Sequence, residues 1–333
     1  MENKTDFHSM EDSLFQYLGI KIHHLIESKR FDRIVIQGNY DRDYFPSLKE
    51  KTDKMFNWKR PTAMIDGNDL IINCFPGFDY VLHYALIKYY YYYINNKEIP
   101  KIIIRFPNRD KLQDKILFKD LWNLKDCDLV VLGYVDKLVE DFPPWEGSGD
   151  FLWKKFNISG KNVAIVGCKF SYWGDIAGRV VKYLAENGNR QVVYIGKLGS
   201  LNKNHVPNES LATGNQSYVS GEMIQWENPF EGYSSDILKK GRHYSSPSIL
   251  LETKKWLNDN QDKYDFVDPE IGHMAKSANK CGISFGYIHI ISNNLNKDYK
   301  EDLSNERNIN VIRKRTILMG EIKKALLYLL KND

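Results

Sequence analysis

The chain has 333 residues, with 47 lysines and arginines against 43 aspartates and glutamates, a net charge of +4. At 42% hydrophobic and 27% charged residues it has a globular composition, which excludes wholesale disorder and allows one large α/β domain or two ordinary ones. The positive excess is dispersed, with no run of five like charges, so charge alone implies neither nucleic acid nor a membrane as partner.

Cys74, Cys127, Cys168 and Cys281 are scattered and form no Cys-x-x-Cys or Cys/His metal spacing. That usage fits a reducing compartment without disulfides or a metal site. The N-terminus has no basic segment followed by an apolar one, so no signal peptide is expected. The most apolar run, residues 81–94, contains His83 and Lys88 and is too short to span a bilayer. A cytoplasmic protein is the expectation.

Strand signals recur along the front of the chain. Residues 33–37 form a β-branched run closed by Gly38-Asn39, and strands are predicted again over 69–73 and 101–105. Between the last two, residues 79–95 read as a helix despite five consecutive tyrosines, Tyr89 to Tyr93. The rear repeats the rhythm. Runs over 128–132, 162–166 and 191–195 suit strands buried on both faces of a sheet flanked by helices. A helix over 175–186 is stopped by Asn187-Gly188.

Laid over itself at an offset of about 94 residues, the chain places Asn68, Ile71, Cys74, Lys88-Tyr89 and Asn95 opposite Asn162, Ile165, Cys168, Lys182-Tyr183 and Asn189. The match predicts a duplicated strand–linker–strand–helix–strand unit. The alternative is coincidence between two α/β stretches, and strand order decides between them.

Residues 199–248 are rich in turn signals. Beyond them helices are predicted over 249–258 and 271–280, a strand end at Val267 and a final strand over 283–292. A helix over 312–330 would place Ile317, Leu318, Ile322, Leu326, Leu329 and Leu330 on one face, for the core or for an oligomer contact.

Asp268 and Glu270 flank Pro269 at a helix start, where a carboxylate either caps the helix or grips a ligand. Asn293 closes a strand, as a turn residue or as an amide facing a pocket; it cannot titrate, so it cannot transfer a proton. Asp136-Lys137 follows another strand, as an exposed pair or as a base beside a cation. Lys169 and Ser171 lie in a strand-to-helix loop whose N–H groups could converge on an anion. Gly199-Ser200 forms part of a glycine turn, and Ser246 lies in a serine-rich helix approach. His243 and His273 lie near these motifs, but a lone histidine is commonly structural, and neither is given a role. No Gly-x-Gly-x-x-Gly follows a strand, which ranks a dinucleotide enzyme last.

From about 125 to 295 the chain carries, in order, DLVVLGYVDKL, NVAIVGCKFSYWGDIAGRVVKYL, QVVYIGKLGSL, SYVSGEMIQW, HYSSPSILLET and FVDPEIGHMAKSANKCGISFGYIHIISNNL. This succession resembles the nucleoside phosphorylase/nucleosidase superfamily, which includes purine nucleoside phosphorylases and methylthioadenosine nucleosidases. The resemblance implies a three-layer α/β/α domain with a mixed sheet over 125–333, preceded by a smaller α/β segment over 1–124. It implies cleavage of the N-glycosidic bond of a nucleoside or nucleotide by water or phosphate. A binding or scaffold protein of the same fold that has lost turnover is the alternative. Glu270 stands where the family's ribose-binding glutamate stands, with Asp268 beside it. Asn293 stands where nucleosidases and hexameric phosphorylases carry an acid for the base and trimeric phosphorylases carry Asn. Asp136 falls at the family's water-activating or phosphate-binding position, and Lys169, Ser171, Gly199, Ser200 and Ser246 at loops lining the pocket. No cofactor is implied beyond phosphate as co-substrate; a homo-oligomer is.

Overall fold

The computed structural model describes residues 10–39, 45–46, 54–108, 111–139, 143–297, 299 and 308–332. The front unit runs α1 (Met10–Lys21), α2 (Leu25–Ser28), β1 (Arg33–Gly38), β2 (Phe45–Pro46), β3 (Thr62–Asp66), β4 (Asp69–Cys74), α3 (Phe78–Ile94), β5 (Lys101–Arg105) and α4 (Lys111–Leu117). The rear unit begins with β6 (Leu129–Gly133), β7 (Phe151–Ile158), β8 (Lys161–Cys168), α5 (Asp175–Glu186) and β9 (Gln191–Ser200). Short strands follow: β10 (Leu211–Thr213), β11 (Gln216–Val219), β12 (Glu222–Gln225), β13 (Leu238–Lys240) and β14 (His243–Ser245). The chain then adds α6 (Lys254–Asn260), β15 (Phe266–Asp268), α7 (Ile271–Cys281), β16 (Ser284–Asn294) and α8 (Ile309–Asn332). Both sheets are mixed and flanked by helices, so the fold is α/β, as expected.

The two units share a strand order. In front the order is β3-β4-β1-β5, with β4 and β5 parallel to β1 and β3 antiparallel to β4. Behind it is β7-β8-β6-β9, with β8 and β9 parallel to β6 and β7 antiparallel to β8. Registers agree as well: Arg33 lies opposite Asp69, and Leu129 opposite Val163. The lead-in turns repeat one device. Asp32 N–H donates to the Asn68 carbonyl at 3.0 Å, and Asp128 N–H to the Asn162 carbonyl at 2.9 Å. Order, direction and register agree with the duplication that the 94-residue offset predicts, β1, β3, β4, α3 and β5 answering to β6, β7, β8, α5 and β9.

The rear sheet then grows where the front one stops. β16 lies parallel to β9, and β10 and β13 follow it; β15, β14, β11 and β12 branch from the C-terminal end of β9. Sheet faces alternate along each strand. Val130 and Leu132 of β6 join one core together with Ile34, Ile36, Ile72 and Ala177. Leu129 and Val131 instead face α8, through Leu318, Met319, Ile322 and Leu329.

Departures from expectation fall on two strands, one helix and one residue of α8. The sequence does not announce the hairpin partners β3 and β7; in β7, Lys154, Lys155 and Asn157 interrupt the apolar run. The helix predicted over 249–258 is two pieces. Ser248 Oγ accepts from Leu250 N–H at 3.2 Å to start a 3₁₀ turn, and Thr253 Oγ1 accepts from Trp256 N–H at 3.2 Å to start α6. Ile317 is corrected outright: it is 72% exposed, because one residue's rotation turns it from the stripe that Leu318 and Ile322 share. Arg315 is buried instead, its Nε donating to Asn208 Oδ1 at 2.8 Å.

Candidate functional site

Three helix N-termini, those of α3, α5 and α7, meet around one buried cluster of acids. At α7 the capping expectation holds for Asp268: its Oδ1 accepts from the backbone N–H groups of Glu270 and Ile271, both at 2.9 Å. A third N–H at this end, that of Gly272, goes to Ser245 Oγ at 2.8 Å. With those donors satisfied, the half-buried side chain of Glu270 takes no capping role. The Gly174 N–H at the start of α5 and the Tyr194 hydroxyl lie near it instead.

Asp268, 3% exposed, is flanked by two fully buried histidines. His243 Nε2 lies 3.2 Å from its Oδ1, and His289 Nε2 3.6 Å from its Oδ2. Ser217 Oγ lies 2.8 Å from His243 Nδ1 and fixes that ring. Gly196 makes room for the other: a Cβ there would stand 2.7 Å from His289 Nε2.

The electrostatics separate the two carboxyls. Burial opposes ionisation of Asp268, but His243 and His289 beside it outweigh that and hold the group below the usual carboxylate range. Burial pushes Glu270 well up, and the charge of Asp268 pushes it further; the Gly174 N–H opposes both. His289 is lowered by burial, with Asp268 opposing. Their surroundings thus drive the two carboxyls apart, Asp268 toward ionisation and Glu270 toward protonation, the kind of separation that general acid–base sites use.

The other sequence-predicted residues divide. Ser246 lies beside the cluster, its N–H donating to the Asp268 carbonyl at 2.9 Å and its Oγ to the Ser248 carbonyl at 2.9 Å. Ser171 is half-buried in the loop that carries Tyr172 and Gly174. Gly199 pairs with Val267 on one side and Asn293 on the other. A bulge at Ser292 shifts the register of β16, and the Asn293 amide packs by Gly199 and Val267, on the sheet face opposite Asp268. β9 separates Asn293 on β16 from β15, the strand that leads to Glu270, and the Asn293 amide lies on the other sheet face from Asp268. Ser200 is structural, its Oγ 2.8 Å from His205 Nδ1. Asp136 sits half-buried in the turn after β6 and, second to burial, raises the Tyr134 hydroxyl.

Lys169 points elsewhere: its Nζ donates to the Gly149 carbonyl at 2.7 Å and lines a cavity of about 360 Å³ with Lys59, Asp120 and Asp150. His289, Tyr194 and Asp79 carry no local sequence signal and emerge only in three dimensions. So does Glu252, buried between Ser246 and Asp268, which burial pushes up to about 8 against the Ser246 hydrogen bond. Among the described residues no group of three His, Cys, Asp or Glu could hold a metal. None of the described helices is long and apolar enough to cross a membrane.

No family model matches the chain. An alignment 171 residues long, covering 44% of the chain, is 26% identical to oxidoreductase cns1 of Cordyceps militaris; the chain spans about a fifth (21%) of that relative's length. Among solved structures, futalosine hydrolase of Helicobacter pylori matches 62% of this chain and 99% of its own at 15% identity and a TM-score of 0.47. The 5'-methylthioadenosine/S-adenosylhomocysteine nucleosidase of Neisseria meningitidis matches 62% and 99%, at 13% identity and a TM-score of 0.45. Over 62% of its length, then, the chain is similar to nucleosidases and futalosine hydrolase of known structure.

Proposed function

We propose that the protein binds a nucleoside at the Glu270 cluster and cleaves its N-glycosidic bond with water as acceptor. The observation that carries this reading is the pair itself: Glu270, free of capping duty and driven by burial toward its protonated form, beside Asp268, which His243 and His289 draw toward its ionised form. A carboxylic acid both donates and accepts, which suits two vicinal sugar hydroxyls. As the glycosidic bond breaks, positive charge develops on the sugar, and a buried ionised carboxylate stabilises it without reorganising. Water is favoured over phosphate because the Lys169 ammonium is committed to the Gly149 carbonyl, away from the cluster. Asn293, on the other face, has no part in proton transfer in this scheme.

The test is release of free base from a panel of purine and pyrimidine nucleosides, with and without phosphate. Base release independent of phosphate is expected, and Glu270→Gln should lower it at least about 100-fold, the scale of a lost acid–base or transition-state contact. No base from any nucleoside overturns the reading.

A second reading, binding without turnover, is favoured by the orientation of Asn293 and by the front unit packing over the cluster. Stabilisation of the protein by a nucleoside in a thermal melt, with no product formed, would select it, because a ligand raises stability by binding the folded state.

A further inference from the structure

The start of α3 reaches the cluster in a way its own sequence does not require. Its N-cap is Gly77, which has no side chain to cap with. The Asp79 N–H donates instead across the units, to Asp175 Oδ1 on α5 at 3.2 Å. Backbones approach closely here: a Cβ on Gly77 would stand 2.6 Å from Ile176 Cγ1, and one on Gly174 2.4 Å from Asp79 Oδ2. Phe75 and Phe170, at the ends of the equivalent strands β4 and β8, stack with centroids 4.3 Å apart and 21° between planes. The duplicated helices therefore meet start to start, at glycines.

That meeting sets Asp79 on one side of Gly174 and Glu270 on the other. The Asp79 carboxylate also reaches α7, with Oδ2 2.8 Å from Nε2 of His273, in the same first turn that Glu270 opens. Both side chains of this pair are largely shielded from solvent, at 16% and 15% exposure.

We propose that Asp79 is a positioning residue for Glu270, supplied by the front unit: it anchors the first turn of α7 through His273 and fixes Gly174 against the Glu270 carboxyl. The proposal rests on the reading that Glu270 grips the vicinal hydroxyls of a pentose, and it gives the front unit a part in that grip. Among the described residues, the charged and titratable groups that face Glu270 include Asp268 from β15, Asp79 from α3, Tyr194 from β9 and Tyr172 from the loop before α5. Asp79 comes from the front unit.

The experiment follows the Glu270 carboxyl by carbon-13 NMR in full-length protein labelled at the glutamate δ-carbon, the resonance being assigned by its loss in Glu270→Gln. Asp79→Asn should move the Glu270 midpoint down by about one pH unit, as expected when a neighbouring like charge is removed. His273→Gln leaves Asp79 without its partner and should move the midpoint up. Adenosine, titrated calorimetrically, should bind at least about tenfold more weakly to both variants. An unchanged Glu270 midpoint in Asp79→Asn with its circular dichroism intact overturns the proposal. Should that variant not fold, an unchanged midpoint in His273→Gln overturns it equally. The titration needs no ligand, so a protein that ignores adenosine would sink the nucleoside reading while leaving the Asp79 result readable.

Discussion

Glu252 shows how a single buried acid couples this fold to pH. Its group titrates at about 8 in the folded chain, against about 4.3 for an ordinary glutamate. A raised carboxyl means that the folded state holds the proton more tightly. The stability this confers is full below pH 4 and is lost as pH rises through about 8. Glu252→Gln cannot titrate, so between pH 5 and pH 8.5 the variant should gain about 4 kcal/mol on the parent chain, read from urea midpoints at the two pH values. Asp268 has the opposite sign, being depressed by His243 and His289. Asp268→Asn removes the buried partner of both rings and should cost about 3 kcal/mol at pH 7 by the same measurement, even though an Asn can still cap α7.

At the scale of elements, the decisive points are helix ends. Gly174 opens α5 at φ 56° and ψ −124°, a conformation L side chains avoid, and a Cβ would run into Asp79. Gly174→Ala should therefore destabilise the protein by about 2 kcal/mol or more, measured by denaturant unfolding, from strain and from the clash together. In α8 the buried stripe separates real from apparent core residues. Ile322→Ala should cost about 3 kcal/mol, while Ile317→Ser, earlier in the same helix and exposed, should stay within about 0.5 kcal/mol. The stripe was legible in the run of apolar residues. The exposure of Ile317 was not, because adjacent isoleucine and leucine fit the same pattern until a sheet is laid against one of them.

At the scale of the molecule, the front and rear units share a core. Ile34, Tyr80, Tyr84 and Leu70 lie in the same buried cluster as Val130, Phe170, Ile176 and Tyr287. Calorimetry should accordingly show one transition with matching van't Hoff and calorimetric enthalpies; two separated transitions would mean that the units melt independently. The rhythm of strands and helices, a match at an offset of about 94 residues and a pair of carboxylates, Asp268 and Glu270, at a helix start were all legible in the chain. All of these are written in neighbouring residues or a fixed spacing, through periodicity, turn chemistry and caps. That His289 and His243 flank Asp268, that a one-residue bulge turns Asn293 to the far face, and that Asp79 crosses between units to His273 emerged with the folded chain. Those pairings join residues distant along the chain, and side-chain direction at a strand end depends on a register that only the assembled sheet sets.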